Sequence, residues 1–349
     1  DLPDKESATM FFQDCKLSHQ AQITGISHSV KEILPPDLLD LTQLQKEANI
    51  RYGYTASEVY DIAQSLYEKK LISYPRTSSR YLTEDVFDSL SPIMARLLSW
   101  ELFPAAKGTG SIDISSLSRH VINAEKANVH HAIIITGIRP GNLSEKEMQV
   151  YRLVAGRMLE AFMASCRIET TNVEAVCAAQ HFKAEQTRII EAGWHDVFMH
   201  SDMIPTSGYS VKELPIMEKG DTLNVCGCNM VHKKQLPVNP FTDAELVEYM
   251  EQNGLGTVSS RTNIIRTLVN RKYIRYSGKY IVPTPKGMFT YETIRGKKIA
   301  DTSLTADWEK QLNGLESGMI TGQDFLNRIR TLAKEMTDDI FNTYSTKEE

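Results

Sequence analysis

Tyr74 and Arg76 are residues whose types and spacing could do chemistry. They stand in the stretch Ser73-Tyr74-Pro75-Arg76-Thr77-Ser78-Ser79-Arg80-Tyr81-Leu82. Pro75 fixes its own φ and disfavours helix at Tyr74, so extended backbone is expected there. In extended backbone, residues two apart point the same way, which projects Tyr74 and Arg76 together. A phenol beside a guanidinium suits attack on a phosphate. An un-ionised phenol is a weak nucleophile, and a nearby cation both stabilises the phenolate and clamps the phosphate oxygens. On this stretch alone the plain reading stands ahead: a core tyrosine at a helix–loop junction, covered by an arginine. The rest of the chain shifts that balance.

Helical patterns flank the stretch. Leu41-Thr42-Gln43-Leu44-Gln45 opens one helix, and Thr55-Ala56-Ser57-Glu58 is a capping-box pattern that opens another, running to about Lys70. The apolar stripe of this second helix, Val59, Ile62, Ala63 and Leu66, has helical spacing and belongs to a core. Helices resume at Thr83-Glu84-Asp85 and again from Leu143-Ser144-Glu145 to about Met163. Between them, Val129-His130-His131-Ala132-Ile133-Ile134-Ile135-Thr136 reads as a short strand whose histidines face opposite sides. Such a pair is more often structural than catalytic.

Residues 1–36 carry alternating stretches such as Ala21-Gln22-Ile23-Thr24-Gly25-Ile26, and Pro35-Pro36 closes them. Strand character returns over residues 167–237, with turns at Ala192-Gly193 and Lys219-Gly220. One β-domain interrupted by a helical insertion accounts for both. Residues 238–349 are mainly helical. Thr242-Asp243-Ala244-Glu245 is a second capping box, Asn253-Gly254-Leu255-Gly256 a tight turn, and Ser259 or Ser260 the cap of a helix to about Arg271. A hairpin over residues 273–282 follows, with Ser277-Gly278 at its tip. Helix, turn, helix and basic hairpin is the layout of a winged helix-turn-helix. The helix start at Ser260 and Arg261 offers an anion site for one phosphate; the plainer alternative is a solvated polar helix start.

The 349 residues suffice for about two or three domains, and 41% apolar with 24% charged residues is ordinary for a globular protein. No apolar run reaches the roughly 18 residues needed to span a bilayer. The opening Asp1-Leu2-Pro3-Asp4 has neither an initiator methionine nor signal-like regions, which leads us to expect a piece of a longer, cytoplasmic chain. A net charge of −5 argues against a wholesale nucleic-acid coat, yet the charge is unevenly spread. From Gln252 to Tyr291 there is no Asp or Glu, while Arg261, Arg266, Arg271, Lys272, Arg275, Lys279 and Lys286 fall inside. That distribution fits a groove for phosphates. Five scattered cysteines imply reduced thiols rather than a disulfide framework. Cys226-Gly227-Cys228 would be only half of a zinc site. Gly108-Thr109-Gly110-Ser111 lacks the rest of a nucleotide-binding loop and reads as a surface loop; no Asp-x-Asp occurs.

Taken in order, Leu41-Thr42-Gln43-Leu44-Gln45, Asp61-Ile62-Ala63-Gln64-Ser65-Leu66-Tyr67-Glu68, Leu71-Ile72-Ser73-Tyr74-Pro75-Arg76-Thr77, His130-His131-Ala132-Ile133 and Gly254-Leu255-Gly256-Thr257 resemble the type IA DNA topoisomerases, the topoisomerase III branch most of all. The likeness runs from about Asp40 to about Leu315. It implies a multidomain clamp of mixed α and β structure: a β-rich hinge domain (1–36 and 167–237), a helical domain bearing the nucleophile (37–166), and a helical, winged-helix-like base domain (238–349). In this resemblance Tyr74 is the active-site tyrosine, Arg76 binds the scissile phosphate, and His130 lies beside the nucleotide backbone. Arg80, Thr257, Ser260 and Arg261 are DNA contacts. The reaction is transesterification on single-stranded DNA, giving a 5′-phosphotyrosine, strand passage and ATP-independent religation.

The family also has an N-terminal Toprim domain with a lysine, a glutamate and an Asp-x-Asp site for Mg2+, none of which is found here. The Mg2+ ligands are therefore expected outside this chain, and the chain alone is expected to be catalytically incomplete. Single-stranded DNA and the Toprim domain are the implied partners, a helicase an open further one, and a monomer the default. Three residues depart from the motifs: Ser78 replaces an Asp, and Ile135 and Val258 replace prolines. The last two mainly alter local stiffness. A non-enzymatic winged-helix DNA-binding protein explains residues 238–290 but not the Tyr74 loop. A tyrosine recombinase or relaxase would bring more basic or histidine residues around its nucleophile.

Overall fold

The computed structural model describes residues 4–100, 102–103, 119–127, 130–199, 214–231 and 239–345; Gly108-Thr109-Gly110-Ser111 and Val129 lie outside these. In chain order the elements are α1 (Lys5–Leu17), β1 (Gln20–Ile33), α2 (Leu41–Tyr52), α3 (Ala56–Glu68), α4 (Glu84–Asp88), α5 (Leu90–Ser99), α6 (Ala124–Ala127) and α7 (Glu145–Phe162). There follow β2 (Cys166–Cys177), β3 (Gln180–Glu191), α8 (Asp196–Met199), β4 (Thr222–Asn224), α9 (Asp243–Gln252), α10 (Arg261–Asn270), β5 (Ile274–Ser277), β6 (Tyr280–Pro283), α11 (Pro285–Ile294), α12 (Thr302–Glu316) and α13 (Gly322–Ser345). The chain packs as two compact units.

The first unit draws on Asp1–Pro36, Phe103–Ser118 and Leu159–Val238. Its centre is a four-stranded antiparallel sheet in the order β3-β2-β1-β4. β1 runs alongside β2 from Gln22↔Val176 to Ile33↔Cys166, so the early and late strand-like segments close into one sheet, as their shared composition suggests. Residues 5–17, read from sequence as part of a strand region, form α1 instead. Asp4 caps it by accepting from the Ser7 backbone N–H at 2.8 Å, and Cys15 packs inward with its thiol 3.8 Å from the Cys177 carbonyl. Burial pushes the Cys15 thiol up to about 11, with Cys177 adding to it. Gly193, at φ +53°, starts a short 3-10 turn; a Cβ there would lie 2.3 Å from the Ser165 carbonyl, so only glycine fits.

The second unit draws on Asp37–Leu102, Arg119–Met158 and Asn239–Glu349. Within it α3 has the expected capping box, Thr55 with Glu58, and buries Val59, Ala63 and Leu66 of the expected stripe completely, whereas Ile62, at the edge of that stripe, is only half-buried. Burying a side chain the size of Leu66 stabilises by about 1.5–3 kcal/mol. α9 has the second expected capping box, Thr242 with Glu245. Ala56, Val247, Met250, Ile265 and Ile281 form one core cluster with Leu246, Leu255 and Ile274 against it, joining α3 to α9, α10 and the β5–β6 hairpin.

Polar groups from distant segments fix both ends of α3. Asp243, buried at 2% exposure, accepts from the Ala56 backbone N–H at the first turn and from the Tyr276 hydroxyl at 3.3 Å. Burial raises its carboxyl above the ordinary range, against the pull of those two donors. At the other end Glu147 binds Lys69, accepts from Ser65 Oγ at 2.7 Å, and caps α7 through the Ser144 N–H at 3.0 Å. Lys69 first, then Ser65 and Ser144, hold its carboxyl down at about 2.

Asp243→Ala leaves the buried Ala56 N–H without a partner and releases the part-exposed Tyr276 hydroxyl, and is expected to cost about 1–3 kcal/mol, whereas Asp243→Asn keeps an acceptor and should cost under about half of that; urea unfolding of the two variants checks this. A carboxylate depressed on folding adds stability above its ordinary value of 4.5 and loses it as pH falls toward 2. The nominal linkage is about 3 kcal/mol. The part-exposed Lys69 partner and screening reduce it to about 1–2 kcal/mol. Glu147→Gln should remove that much at neutral pH and flatten the acid limb of the stability profile below pH 4.5.

Candidate active site at the Tyr74 loop

The chain leaves α3 through Lys70, at φ 59°, and enters the loop that carries Tyr74. Residues 71–82 are laced to the segment 130–136. Ser73 donates its N–H to the Ile134 carbonyl at 2.8 Å, and its hydroxyl accepts from the Ile134 N–H at 2.9 Å. Ile72 and Ile135 form an isolated bridge, as do Leu39 and Ile133. The segment 130–136 is thus extended but holds its neighbours by single bridges rather than as a ladder strand. Thr77 and Ser79 are buried. Thr77 Oγ1 donates to the His130 carbonyl at 2.8 Å, and Ser79 Oγ to the Lys126 carbonyl at 2.7 Å. These hydroxyls hold the loop in shape; Ser78 between them is exposed.

Tyr74 is half-buried with its ring centroid 4.5 Å from the His130 ring, tilted by 47°, and 5.5 Å from Tyr67 in an edge-on contact. Its hydroxyl makes no hydrogen bond among the described residues. Arg76 lies along the same face of α3: its Nη2 donates to Gln64 Oε1 at 3.2 Å and its guanidinium sits 5.1 Å over the Tyr60 ring. Its Nε is buried without a hydrogen-bond partner, and no acid pairs with it among the described residues. Tyr60, Gln64 and Tyr67 follow helical spacing on the side of α3 away from the core stripe, so their shared face was readable from periodicity, though its partner was not. His131 is turned away, its Nδ1 2.7 Å from the Ala132 carbonyl.

The other sequence-derived contacts fall differently. Arg80 Nε binds Asp40 Oδ2 at 2.6 Å, and Asp40 also caps α2 through the Gln43 N–H at 2.7 Å, so this arginine is committed to the fold on one edge and about one-third exposed on the other. Thr257 and Ser260 form a tight turn: Thr257 N–H donates to Ser260 Oγ at 2.8 Å. Gly256, at φ +73°, makes room, since a Cβ would lie 2.8 Å from that oxygen. Arg261 points inward rather than to solvent. It is 8% exposed and binds Glu251 at 3.1 Å, tying α10 to α9. No side-chain contact among the described residues joins the Thr257–Ser260 turn to the Tyr74 group. Arg271, Lys272 and Arg275, at and just beyond the end of α10, have no acid partner among the described residues.

A cavity of about 210 Å3 lies at the other end of α3, lined by Thr55, Ser57, Thr262, Arg266, Asn270 and Tyr276 among others, and does not include Tyr74. Among the described residues no group of His, Cys, Asp or Glu converges as a metal site. The neighbours of Tyr74 are aromatic, imidazole, amide and guanidinium groups, a donor set that does not suit a magnesium ion. No helix is long and apolar enough to cross a membrane among the described residues.

Residues 1–327 match a family model described as DNA topoisomerase. The chain is 31% identical to DNA topoisomerase 3 of Bacillus licheniformis over 344 residues, covering 92% of this chain and 47% of that protein. It is 30% identical to DNA topoisomerase 3 of Bacillus subtilis over 352 residues, covering 94% and 48%. The chain thus spans about half the length of these curated relatives. Among solved structures, full-length topoisomerase I from Thermotoga maritima superposes with a TM-score of 0.75 at 23% identity, covering 96% of this chain and 56% of that one, which shows a shared fold. With most of its length inside the family model and topoisomerase 3 proteins among its relatives, this chain belongs to the type IA DNA topoisomerase family.

Proposed function

We propose that this chain bears the nucleophile of a topoisomerase III-like enzyme that cleaves and rejoins single-stranded DNA. The observation that carries the reading is the pairing of a half-buried Tyr74, its ring tilted against His130, with an Arg76 that no acid neutralises among the described residues. The Tyr74 hydroxyl oxygen attacks a phosphodiester phosphorus. An oxygen–phosphorus bond forms to the tyrosine, the bond to the 3′ oxygen breaks, and the phenol proton is lost as the leaving oxygen gains one. The products are a 5′-phosphotyrosine and a free 3′-hydroxyl. Attack by that hydroxyl reverses the step with no ATP, because the covalent bond keeps the energy of the one it replaced. Arg76 binds the phosphate oxygens and stabilises charge that grows in the transition state. His130, against the phenol, borders the nucleotide backbone. The acid, base and magnesium belong to an N-terminal Toprim domain beyond this chain, which makes the chain alone inactive.

α9, α10 and the β5–β6 hairpin form the winged-helix-like base domain in this reading. Arg271, Lys272 and Arg275, with no acid partner among the described residues, extend a backbone-tracking surface there, and Thr257 with Ser260 offers hydroxyls to a phosphate. The same layout favours the second reading, a non-enzymatic winged-helix protein, which would prefer duplex DNA.

Supplying the Toprim domain as a separate polypeptide, with magnesium and end-labelled single-stranded DNA, should yield DNA covalently joined to this chain. Tyr74→Phe should abolish the product, and Arg76→Ala should slow it by about a hundredfold or more. Attachment that survives Tyr74→Phe, or magnesium-dependent relaxation by this chain alone, would contradict the proposal. Replacing Arg271, Lys272 and Arg275 together with alanine should flatten the salt dependence of single-strand binding by about 0.7 in log–log slope for each phosphate no longer neutralised. Preference for duplex over single strands, with no attachment, would put the winged-helix reading first.

A further inference from the structure

Most arginines with a side-chain partner among the described residues meet a carboxylate, as Arg80 meets Asp40, Arg157 Glu47, Arg261 Glu251 and Arg266 Asp61. Arg76 meets an amide instead. Gln64 Oε1 accepts from Arg76 Nη2 at 3.2 Å, and Gln64 Nε2 donates to Glu68 Oε1 at 2.8 Å. Glu68 thereby fixes which end of the amide faces the guanidinium. Tyr60 lies beneath the guanidinium at 5.1 Å, and all three residues occupy successive turns of α3. A carboxylate at position 64 would grip the fork more strongly and cancel its charge. A neutral acceptor orients the fork, occupies one edge and leaves the positive charge uncompensated.

We infer that Gln64, set by Glu68, is a positioning residue that holds Arg76 ready for a DNA phosphate without neutralising it. The inference rests on the reading of Arg76 as a phosphate ligand. Gln64 itself touches no reacting atom; it acts through Arg76. The consequence is specific: the substitution that would tighten the contact, Gln64→Glu, should harm DNA binding more than the one that deletes it.

Anisotropy titrations of this chain with a single-stranded oligonucleotide at fixed low salt test this, with melting temperatures measured alongside. Arg76→Ala should weaken binding by about tenfold and Gln64→Ala by about threefold. Gln64→Glu should weaken it about as much as Arg76→Ala while its melting temperature stays level or rises. In an Arg76→Ala background both Gln64 substitutions should add little, which separates loss of the Arg76 charge from general repulsion and from a merely structural role. If Arg76→Ala weakens binding but the Gln64 variants bind like the parent chain, or their effects persist undiminished without Arg76, the positioning role is wrong and the phosphate reading survives. If Arg76→Ala leaves affinity unchanged, the phosphate reading falls and the inference falls with it.

Discussion

The geometry of the site depends on one amphipathic helix pinned at both ends by carboxylates from distant parts of the chain. α3 receives Asp243 at its first turn and Glu147 at its last. Its inner stripe, Val59, Ala63 and Leu66, is sealed in the core, so the helix can neither rotate nor slide without exposing apolar surface. Its outer face then becomes a fixed template on which Tyr60, Gln64 and Tyr67 meet Arg76 and Tyr74. A loop residue held against such a template can be as well placed as one on a regular element, and the bonds of Ser73, Thr77 and Ser79 to the 126–134 segment hold its other side.

Charge is distributed by the same logic. Arginines that join elements are matched with acids, and in the Arg261–Glu251 pair the guanidinium is buried while the carboxylate stays part-exposed, so loss of Glu251 would leave a buried cation without its acid. Arg76 near the phenol and Arg271, Lys272 and Arg275 past α10 have no acid partner among the described residues. The net charge of −5 conceals this division. What remains basic is local, because a summed charge says nothing of where the charges sit.

The hydroxyls near Tyr74 show how residue type and role can separate. Ser, Thr and Arg beside a candidate nucleophile suggest phosphate ligands. Yet Thr77 and Ser79 are buried pegs that satisfy carbonyls of the opposing segment, and Arg80 is half spent on Asp40. Buried polar groups must be satisfied somewhere, and a loop without a ladder satisfies them through side chains.

Local patterns in the sequence determined a good deal. Both capping boxes, the core stripe of α3, the turn at Gly254 and Gly256 and the β5–β6 hairpin are short-range features, set by side chains that reach only a few residues, and they stand where the pattern puts them. The ordered motifs around Tyr74, His130 and Gly254 also carried the family. What lay beyond local reach was decided by tertiary structure. α1 formed where strand was expected, because its stability comes from the Asp4 cap and from packing Cys15 beside Cys177, a residue far along the chain. The β2–β3 turn uses Ala178 and Ala179 at positive φ, residues that carry no turn signal and are held there by the ladder on either side. The inward turn of Arg261 and the amide partner of Arg76 likewise depend on who faces whom across the fold. A sequence states which groups are present and how a helix or strand would align them, but whether a charge is spent on the fold or left for a ligand is settled only by the neighbour that packing brings to it.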